Sequence, residues 1–327
     1  MTNHSNLVYL LRILSEYSDE NHILQMQEII LKFKVLYGIE IDRRTIYSLI
    51  DTLEQLGYDI SSYNDNGVGY YLRERLFESS EVRLVMDAVY SHQAITSKQT
   101  EKLITKLQTL LNAHNRKKYK SLTIVKGERK TENQQVFLNI EILDEAIQGK
   151  NKVSFVYLIY GLDKQLHPRK TGRYTVNPYQ LICTNEHYYL ICKMTGAEKL
   201  SMYRLDLIKD IVISEDKIDT VLSPDELNTV QNKTTYAWYG NAEKIKIKCK
   251  NYIIGDILDK FGHDIAIEPL DDEHFVATLT TAPAGMRFWA LQYLPYVEVL
   301  SPDWLREEII ESVKQNPYLS IGDIENE

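Results

Sequence analysis

The chain runs to 327 residues, more than one ordinary domain uses and enough for two or three. Hydrophobic residues make up 44% and charged residues 26%, the balance of a globular chain with ample core material. The formal net charge of −8, from 38 basic and 46 acidic residues, excludes a uniformly basic nucleic-acid binder but leaves room for locally basic surfaces.

Met1–Asn6 is polar, and no basic-then-apolar leader follows it. No apolar run reaches the length of a membrane-spanning helix, so a cytoplasmic chain without a membrane partner is expected. Ser5 precedes Leu7, Leu10, Leu11 and Leu14, a spacing that predicts an N-capped helix. A second helix is predicted from about Met26 to Tyr37, with Ile29, Ile30 and Phe33 inward and Gly38 at its end. Asp42 can cap a third helix, which carries Ile46, Leu49, Ile50, Leu53 and Leu56 on one face and meets Gly57 just past its end. Asp59–Tyr63, the turn Asn64-Asp65-Asn66-Gly67, and Val68–Leu72 then read as a β-hairpin. Three helices and a two-stranded hairpin follow the order of a winged helix-turn-helix.

The outward face of that third helix holds Arg44, Ser48, Asp51 and Gln55, flanked by Arg43 and Tyr47. A helix that reads the major groove needs donors and acceptors near its N-terminal end, so Arg43, Arg44, Thr45, Tyr47 and Ser48 are the candidate DNA-binding residues. A solvated face on a protein-interaction module is the other reading. Against DNA stands the local charge: residues 1–75 hold seven basic and eleven acidic residues, a net of −4, whereas phosphate binding needs positive charge.

Helical spacing returns over Ser80–Ala113, where two linker helices are expected, and Asn112–Lys130 carries seven basic residues against Glu128, a net of +6. Phe137–Gln148 reads as an amphipathic helix closed by Gly149. β-type runs follow at Val153–Tyr157, Thr175–Ile182, His187–Lys193 and Lys199–Ile213, separated by turn formers such as Thr195-Gly196. Lys150–Arg173 holds six basic residues against Asp163, a net of +5. A basic, tyrosine-rich β segment suits an anionic ligand that carries a ring, because arginine pairs with phosphate and stacks on bases. The candidate ligand-binding residues are Tyr157, His167, Arg169, Arg173, Tyr189 and Arg204. Each has a plainer alternative: a structural Arg204–Asp206 contact, a solvated basic loop, or aromatic packing for Tyr189. In the strand expected over Ser201–Ile208, Arg204 and Asp206 share a face, because side chains alternate.

After a polar connector, Val221–Thr235, the pattern is strand (Ala242–Lys250), helix (Asn251–Phe261), two strands (Ile265–Pro269, His274–Thr281), helix (Gly285–Leu294), strand (Tyr296–Val299) and helix (Pro302–Gln315). This is the order of a split β-α-β plait. Lys244, Lys246, Lys248 and Lys250 alternate with Ile245, Ile247 and Cys249, so one strand face is all lysine. It reads either as protection of an edge or outer face, or as a surface that faces nucleic acid. Cys183, Cys192 and Cys249 lack C-x-x-C spacing and are expected to be small buried thiols. No phosphate-cradling loop, nucleophile elbow or H-E-x-x-H motif occurs, and the eight histidines show no metal-ligand spacing. No enzyme activity, cofactor or metal is expected.

The motifs resemble those of the bacterial WYL-domain transcriptional regulators. Tyr188-Tyr189-Leu190 stands where that family has its signature tripeptide, and Tyr174–Leu181 is similar to its preceding strand. Tyr203-Arg204-Leu205-Asp206 is similar to its F/Y-R-L-D-R element, with Leu207 in place of the second arginine. Asp256–Gly262 and Val299–Leu305 resemble its C-terminal WCX extension. The resemblance implies an α+β chain: a winged helix-turn-helix over 1–75, linker helices and a basic connector over 76–135, a WYL Sm-like or SH3-like β-barrel over 136–220, and a ferredoxin-like WCX domain over 236–320. It also implies a homodimeric DNA-binding regulator, a repressor at a double-stranded operator, that senses a nucleotide-like or oligonucleotide effector in stress or phage defence. A nucleic-acid sensor acting through a partner protein is the alternative, and an enzyme acting on nucleotides a second.

Overall fold

The computed structural model describes residues 3–119, 130–184, 186–223 and 242–319. The chain divides into two compact units, Met1–Gln134 and Gln135–Glu327.

The first unit opens with three helices, α1 (Asn3–Tyr17), α2 (Met26–Tyr37) and α3 (Arg43–Gln55). Helix α1 already includes Asn3, so Ser5 lies inside it and does not cap it. Helix α2 begins with a capping box between Gln25 and Glu28 and ends at Gly38, whose φ of 69° is the left-handed conformation that glycine adopts without strain. The apolar stripes meet in one core built on Leu10, Ile13, Leu14, Ile29, Phe33, Ile46, Leu49, Ile50 and Leu53. Each such side chain contributes about 1.5–3 kcal/mol by leaving water.

The expected hairpin is shorter than its sequence implies. Strands β1 (Ile60–Ser61) and β2 (Tyr71–Leu72) pair over two residues each, and a helical turn, α4 (Tyr63–Asn66), fills the tip. Asn66 is the cause: its Nδ2 donates to Ser61 Oγ, Ser62 O and Gly69 O at 2.8–3.0 Å. Its Oδ1 accepts from the N–H groups of Val68 and Gly69 at 2.7 and 2.9 Å. Local side-chain bonding of this kind competes with the strand ladder. Gly69 is required for a second reason, since a Cβ there would lie 2.2 Å from Leu24 O, where Leu24 bridges to Tyr70.

Helices α5 (Ser79–Ser91), α6 (Ser97–Gln108) and α7 (Ala113–Lys118) complete this unit. Asn112, the cap of α7, donates to Asp19 Oδ2 at 2.7 Å, and Arg116 reaches Glu16 at 2.8 Å, tying α7 to the end of α1. Most of the basic connector predicted over Asn112–Lys130 lies outside the described residues.

In the second unit, helix α8 (Val136–Gly149) precedes β3 (Asn151–Tyr160), β4 (Leu166–Pro168), β5 (Tyr174–Thr184), β6 (His187–Met194), β7 (Leu200–Arg204) and β8 (Ile208–Lys217). The strands form one antiparallel sheet in the order β4-β3-β5-β6-β7, with β8 also on β3, and it curls into a half-barrel around α8. Pro178, which has no N–H to give, sits at the register shift between β5 and β6. The run Lys199–Ile213 is not one strand. A 3-10 turn at Leu205–Leu207 breaks it, held by buried Asn139 of α8, whose Nδ2 donates to Leu205 O at 3.3 Å and Ile208 O at 3.0 Å. Cys192 and Cys249 are buried as expected, but Cys183 is exposed.

The last part contains β9 (Glu243–Lys250), a short 3-10 turn, α9 (Ile254–Phe261), β10 (Ala266–Pro269), β11 (His274–Thr281), α10 (Pro283–Gln292), β12 (Val297–Ser301) and α11 (Asp303–Lys314). This is the β-α-β-β-α-β order that the periodicity predicts, with all neighbours antiparallel and the sheet order β10-β11-β9-β12. One sheet face packs Ile245, Ile247, Cys249, Phe275 and Leu279 against Ile257, Met286, Trp289 and Leu305 of the helices. Strand β9 is an inner strand, so its lysines do not guard an edge. The polar connector predicted over Val221–Thr235 lies almost wholly outside the described residues.

Candidate nucleic-acid and effector sites

Helix α3 is built to present its first turn. Asp42, in extended backbone, accepts from Thr45 N at 2.9 Å and from Thr45 Oγ1 at 3.1 Å. Those bonds, the backbone one first, hold the Asp42 carboxyl below its ordinary 3.8. Thr45 is therefore a capping partner, half-buried, with its hydroxyl already engaged. Arg43, Arg44, Tyr47 and Ser48 are all exposed, while Ile46, Leu49, Ile50 and Leu53 on the opposite face are buried. Tyr47 packs edge-on to Tyr70, ring centroids 6.5 Å apart, beside a recess of about 330 Å³ that Ser62, Tyr63 and Val68 of the tip also line. Burial, then Tyr47, pushes the Tyr70 hydroxyl up to about 12.

The acidic excess of residues 1–75 is partly spent internally. Glu16 pairs with Arg116, Glu40 with Lys34, and both Asp59 and Asp65 with Arg73. Glu28 closes the cap of α2 and Asp42 that of α3. Asp51 and Glu54 stay exposed on α3 itself, past its first turn.

In the half-barrel, three of the six candidate ligand residues, Tyr157, Arg169 and Arg204, gather around one tyrosine cluster. The rings of Tyr157, Tyr174 and Tyr203 contact one another edge to face, with centroids 4.9–6.2 Å apart, and Phe155 stacks beneath Tyr174. Burial raises the hydroxyls of Tyr157 and Tyr203, the latter to about 12. Tyr157 Oη accepts from Arg204 N at 3.4 Å, and Arg169 N donates to Tyr157 O at 2.9 Å. Tyr189 faces Arg204 across the β6–β7 ladder, but its ring is buried in a separate small cluster with Ile182 and Ile191.

Arg204 is not a free cation. Its Nε and Nη2 donate to Asp206 Oδ1 and Oδ2 at 3.1 and 2.7 Å, and Asp206 is 1% exposed. Burial pulls the guanidinium down, and the Asp206 bonds and charge outweigh it, leaving it raised. Arg204 and Asp206 do face each other, but the 3-10 turn and not a continuous strand brings Asp206 round. Leu207, at the position of the missing arginine, is buried in the same core.

The other two candidates lie apart. His167, exposed on β4, pairs with Asp163 of the preceding turn at 2.7 Å. Arg173 donates to Ser154 Oγ at 3.1 Å, to Ser154 O at 2.9 Å and to Asp210 O, so it clamps β3 and β8. Lys170, absent from the candidates, does reach the cluster, with Nζ 4.0 Å from the centre of the Tyr174 ring. Its signal in the sequence was the basic run that ends at the aromatic Tyr174. Among the described residues, no group of three or more His, Cys, Asp and Glu is placed to hold a metal ion, and no helix is long and apolar enough to cross a membrane.

No curated protein matches this chain. Among solved structures it is similar to proteasome accessory factor B/C (PafBC) of Arthrobacter aurescens at 15% identity, covering 94% of this chain and 47% of that one, with a TM-score of 0.27. The chain thus spans about half the length of that protein. It is also similar to a CRISPR Cas-related protein at 12% identity, covering 96% of this chain and 98% of the other, with a TM-score of 0.35. Two family models match within the second unit: the WYL domain over residues 139–213, which spans the half-barrel, and the WCX domain over residues 241–315, which spans the β-α-β-β-α-β part. The chain therefore carries a WYL domain followed by a WCX domain.

Proposed function

We propose that this chain is a cytoplasmic, homodimeric DNA-binding transcriptional regulator, a repressor, whose WYL domain senses an anionic nucleotide-like or oligonucleotide effector. Residues 1–75 serve as the winged helix-turn-helix, the half-barrel as the Sm-like sensor and the last part as a ferredoxin-like plait. The observation that carries the reading is the first turn of α3. Arg43, Arg44, Tyr47 and Ser48 are exposed at its N-terminal end while the opposite face is locked into the core. Arginine there can grip guanine edges, and tyrosine and serine can reach bases or phosphates. Two such helices in a dimer would read half-sites about 34 Å apart.

The effector reading rests on Arg169, Lys170 and the outward edge of Arg204 around Tyr157, Tyr174 and Tyr203. Cations beside aromatic rings suit an anion that carries a ring. Effector binding would shift the population between dimer geometries that do and do not match the operator. The net −4 of residues 1–75 favours one second reading, in which the same face of α3 docks a partner protein instead of DNA.

The test is a binding titration of the full chain with the duplex upstream of its own coding sequence, against a shuffled duplex of equal length, over a salt series. Preference for the native duplex, with affinity falling linearly on log–log axes as salt rises, supports the regulator. Equal, weak affinity for both duplexes favours the partner-protein reading.

A further inference from the structure

The outer face of the WCX sheet carries a second feature, independent of α3 and of the half-barrel. Strand β9 lies between β11 and β12, so its alternation puts Ile245, Ile247 and Cys249 into the core and Lys244, Lys246, Lys248 and Lys250 onto the open face. Lys244, Lys246 and Lys250 are exposed and Lys248 half-buried. Alternate residues on a strand are about 7 Å apart, so the four ammonium groups form a row about 20 Å long.

The neighbours leave that row open. On β11 the positions opposite Lys244, Lys246 and Lys248 are Thr280, Thr278 and Val276, all short side chains. On β12, Glu298 stands opposite Lys248, but its carboxylate is bound by Arg306 at 2.8 Å. Glu268 lies further out, on β10. None of the four lysines has a carboxylate partner among the described residues. Lysines whose only task was solubility would gain from interspersed acidic partners.

At the Lys250 end the surface becomes aromatic. Lys250 N donates to Tyr296 O at 3.0 Å, and Lys250 Nζ lies 5.7 Å from the centre of the Tyr296 ring. Tyr252, 84% exposed, sits 6.1 Å from Tyr296 centre to centre. Leaving a tyrosine ring this open to water forgoes its apolar burial, as at surfaces that take a partner.

We infer that the open face of the WCX sheet binds single-stranded nucleic acid, its backbone along the row from Lys244 to Lys250 and a base against Tyr252 and Tyr296. Charge complementarity calls for a polyanion. The aromatic pair at the end of the row selects among polyanions, because a single strand offers unpaired bases to stack while a duplex keeps its bases inside. An acidic peptide would satisfy the lysines and leave the tyrosines without a planar partner.

The experiment uses the full chain and a fluorescein-labelled oligothymidylate of about 20 nucleotides, long enough to run along the row. Binding is read by anisotropy over a salt series, and each variant's thermal midpoint is checked. The triple variant K244Q/K246Q/K250Q changes only exposed positions. It is expected to lose about tenfold or more in affinity and to flatten the log–log salt slope by about 2, from three lost contacts of about 0.7 each. Tyr252→Ala is expected to lose about fivefold or more, with little change in slope. Arg44→Ala should leave this binding unchanged, so the surface proposed here and the operator-reading helix fail separately. The inference is overturned if the intact chain does not bind the oligothymidylate, if the triple variant binds it as well as the parent, if Arg44→Ala abolishes binding, or if an unlabelled duplex competes as well as the single strand.

Discussion

Arg204 and Asp206 form a two-point ion pair around the start of a 3-10 turn, with the carboxylate almost wholly buried and the guanidinium side chain 31% exposed. The pair explains how an arginine is held beside the tyrosine cluster. It also means that a ligand meets an arginine whose charge is already half-satisfied. Any anion at this rim must then draw on Arg169 and Lys170 as well.

Breaking the pair from one side takes the Arg204 guanidinium away from a buried carboxylate. A fully buried pair would cost about 3–5 kcal/mol to break in this way, and the partial exposure of Arg204 reduces that to about 2 kcal/mol. Arg204→Met is expected to lose about that much in urea unfolding at neutral pH, because Asp206 stays buried and loses its two-point donor. Adding Asp206→Asn should restore at least half of the loss. If the two losses simply add, the pair is not a coupled unit.

Much of the architecture was legible in the sequence, and two of the failures share a cause. Helices α2 and α3 and the whole β-α-β-β-α-β order follow from apolar periodicity, which packing enforces wherever one face must be buried. Two of the misread places, the hairpin tip and the run Lys199–Ile213, are governed by single polar side chains acting at long or odd spacing. Asn66 converts the predicted hairpin tip into a helical turn through five hydrogen bonds. Asn139, more than sixty residues away in sequence, holds the turn that splits the predicted strand Lys199–Ile213. Periodicity says nothing about such bonds. The same limit applies to the site: the basic run and the tyrosines were visible, but only the fold separates Lys170, whose ammonium lies over the Tyr174 ring, and Arg169, whose backbone N–H donates to Tyr157, from Arg173 and His167, which are held elsewhere.

Asn66 should therefore control the tip next to α3. Asn66→Ala removes the acceptor for the N–H groups of Val68 and Gly69. Amide exchange at those two positions is expected to rise by about tenfold or more, with helix α2 unaffected. Unchanged protection at Val68 and Gly69 would show that β1 and β2 alone define the tip.

Asp42 should make the α3 cap sensitive to acid. Its folded carboxyl is held below the ordinary 3.8 by the Thr45 bonds. A depressed carboxyl contributes stability that is present above the unfolded value and lost as pH falls through the lower folded value. The contribution is thus intact at neutral pH and fades only below about 3.8. Asp42→Asn keeps a good cap without the titration. The variant should match the parent at neutral pH and lose less thermal stability than the parent in acid. Asp19 and Asp65, also depressed, lie in the same unit and will lower both proteins. The diagnostic quantity is therefore the difference between the two curves, and overlapping curves would exclude Asp42.

The most direct test of the regulator reading is the affinity of Arg44→Ala for the duplex upstream of the chain's own coding sequence, at fixed moderate salt and with folding checked by thermal melting. Arg44 is fully outside the core, so the variant should melt like the parent. A lost two-point contact to a base costs about 1–3 kcal/mol, or roughly fivefold to over a hundredfold in affinity. The DNA-reading assignment predicts a loss in that range for the native duplex and a smaller one for a shuffled duplex. A folded Arg44→Ala protein that binds the native duplex as tightly as the parent would contradict it.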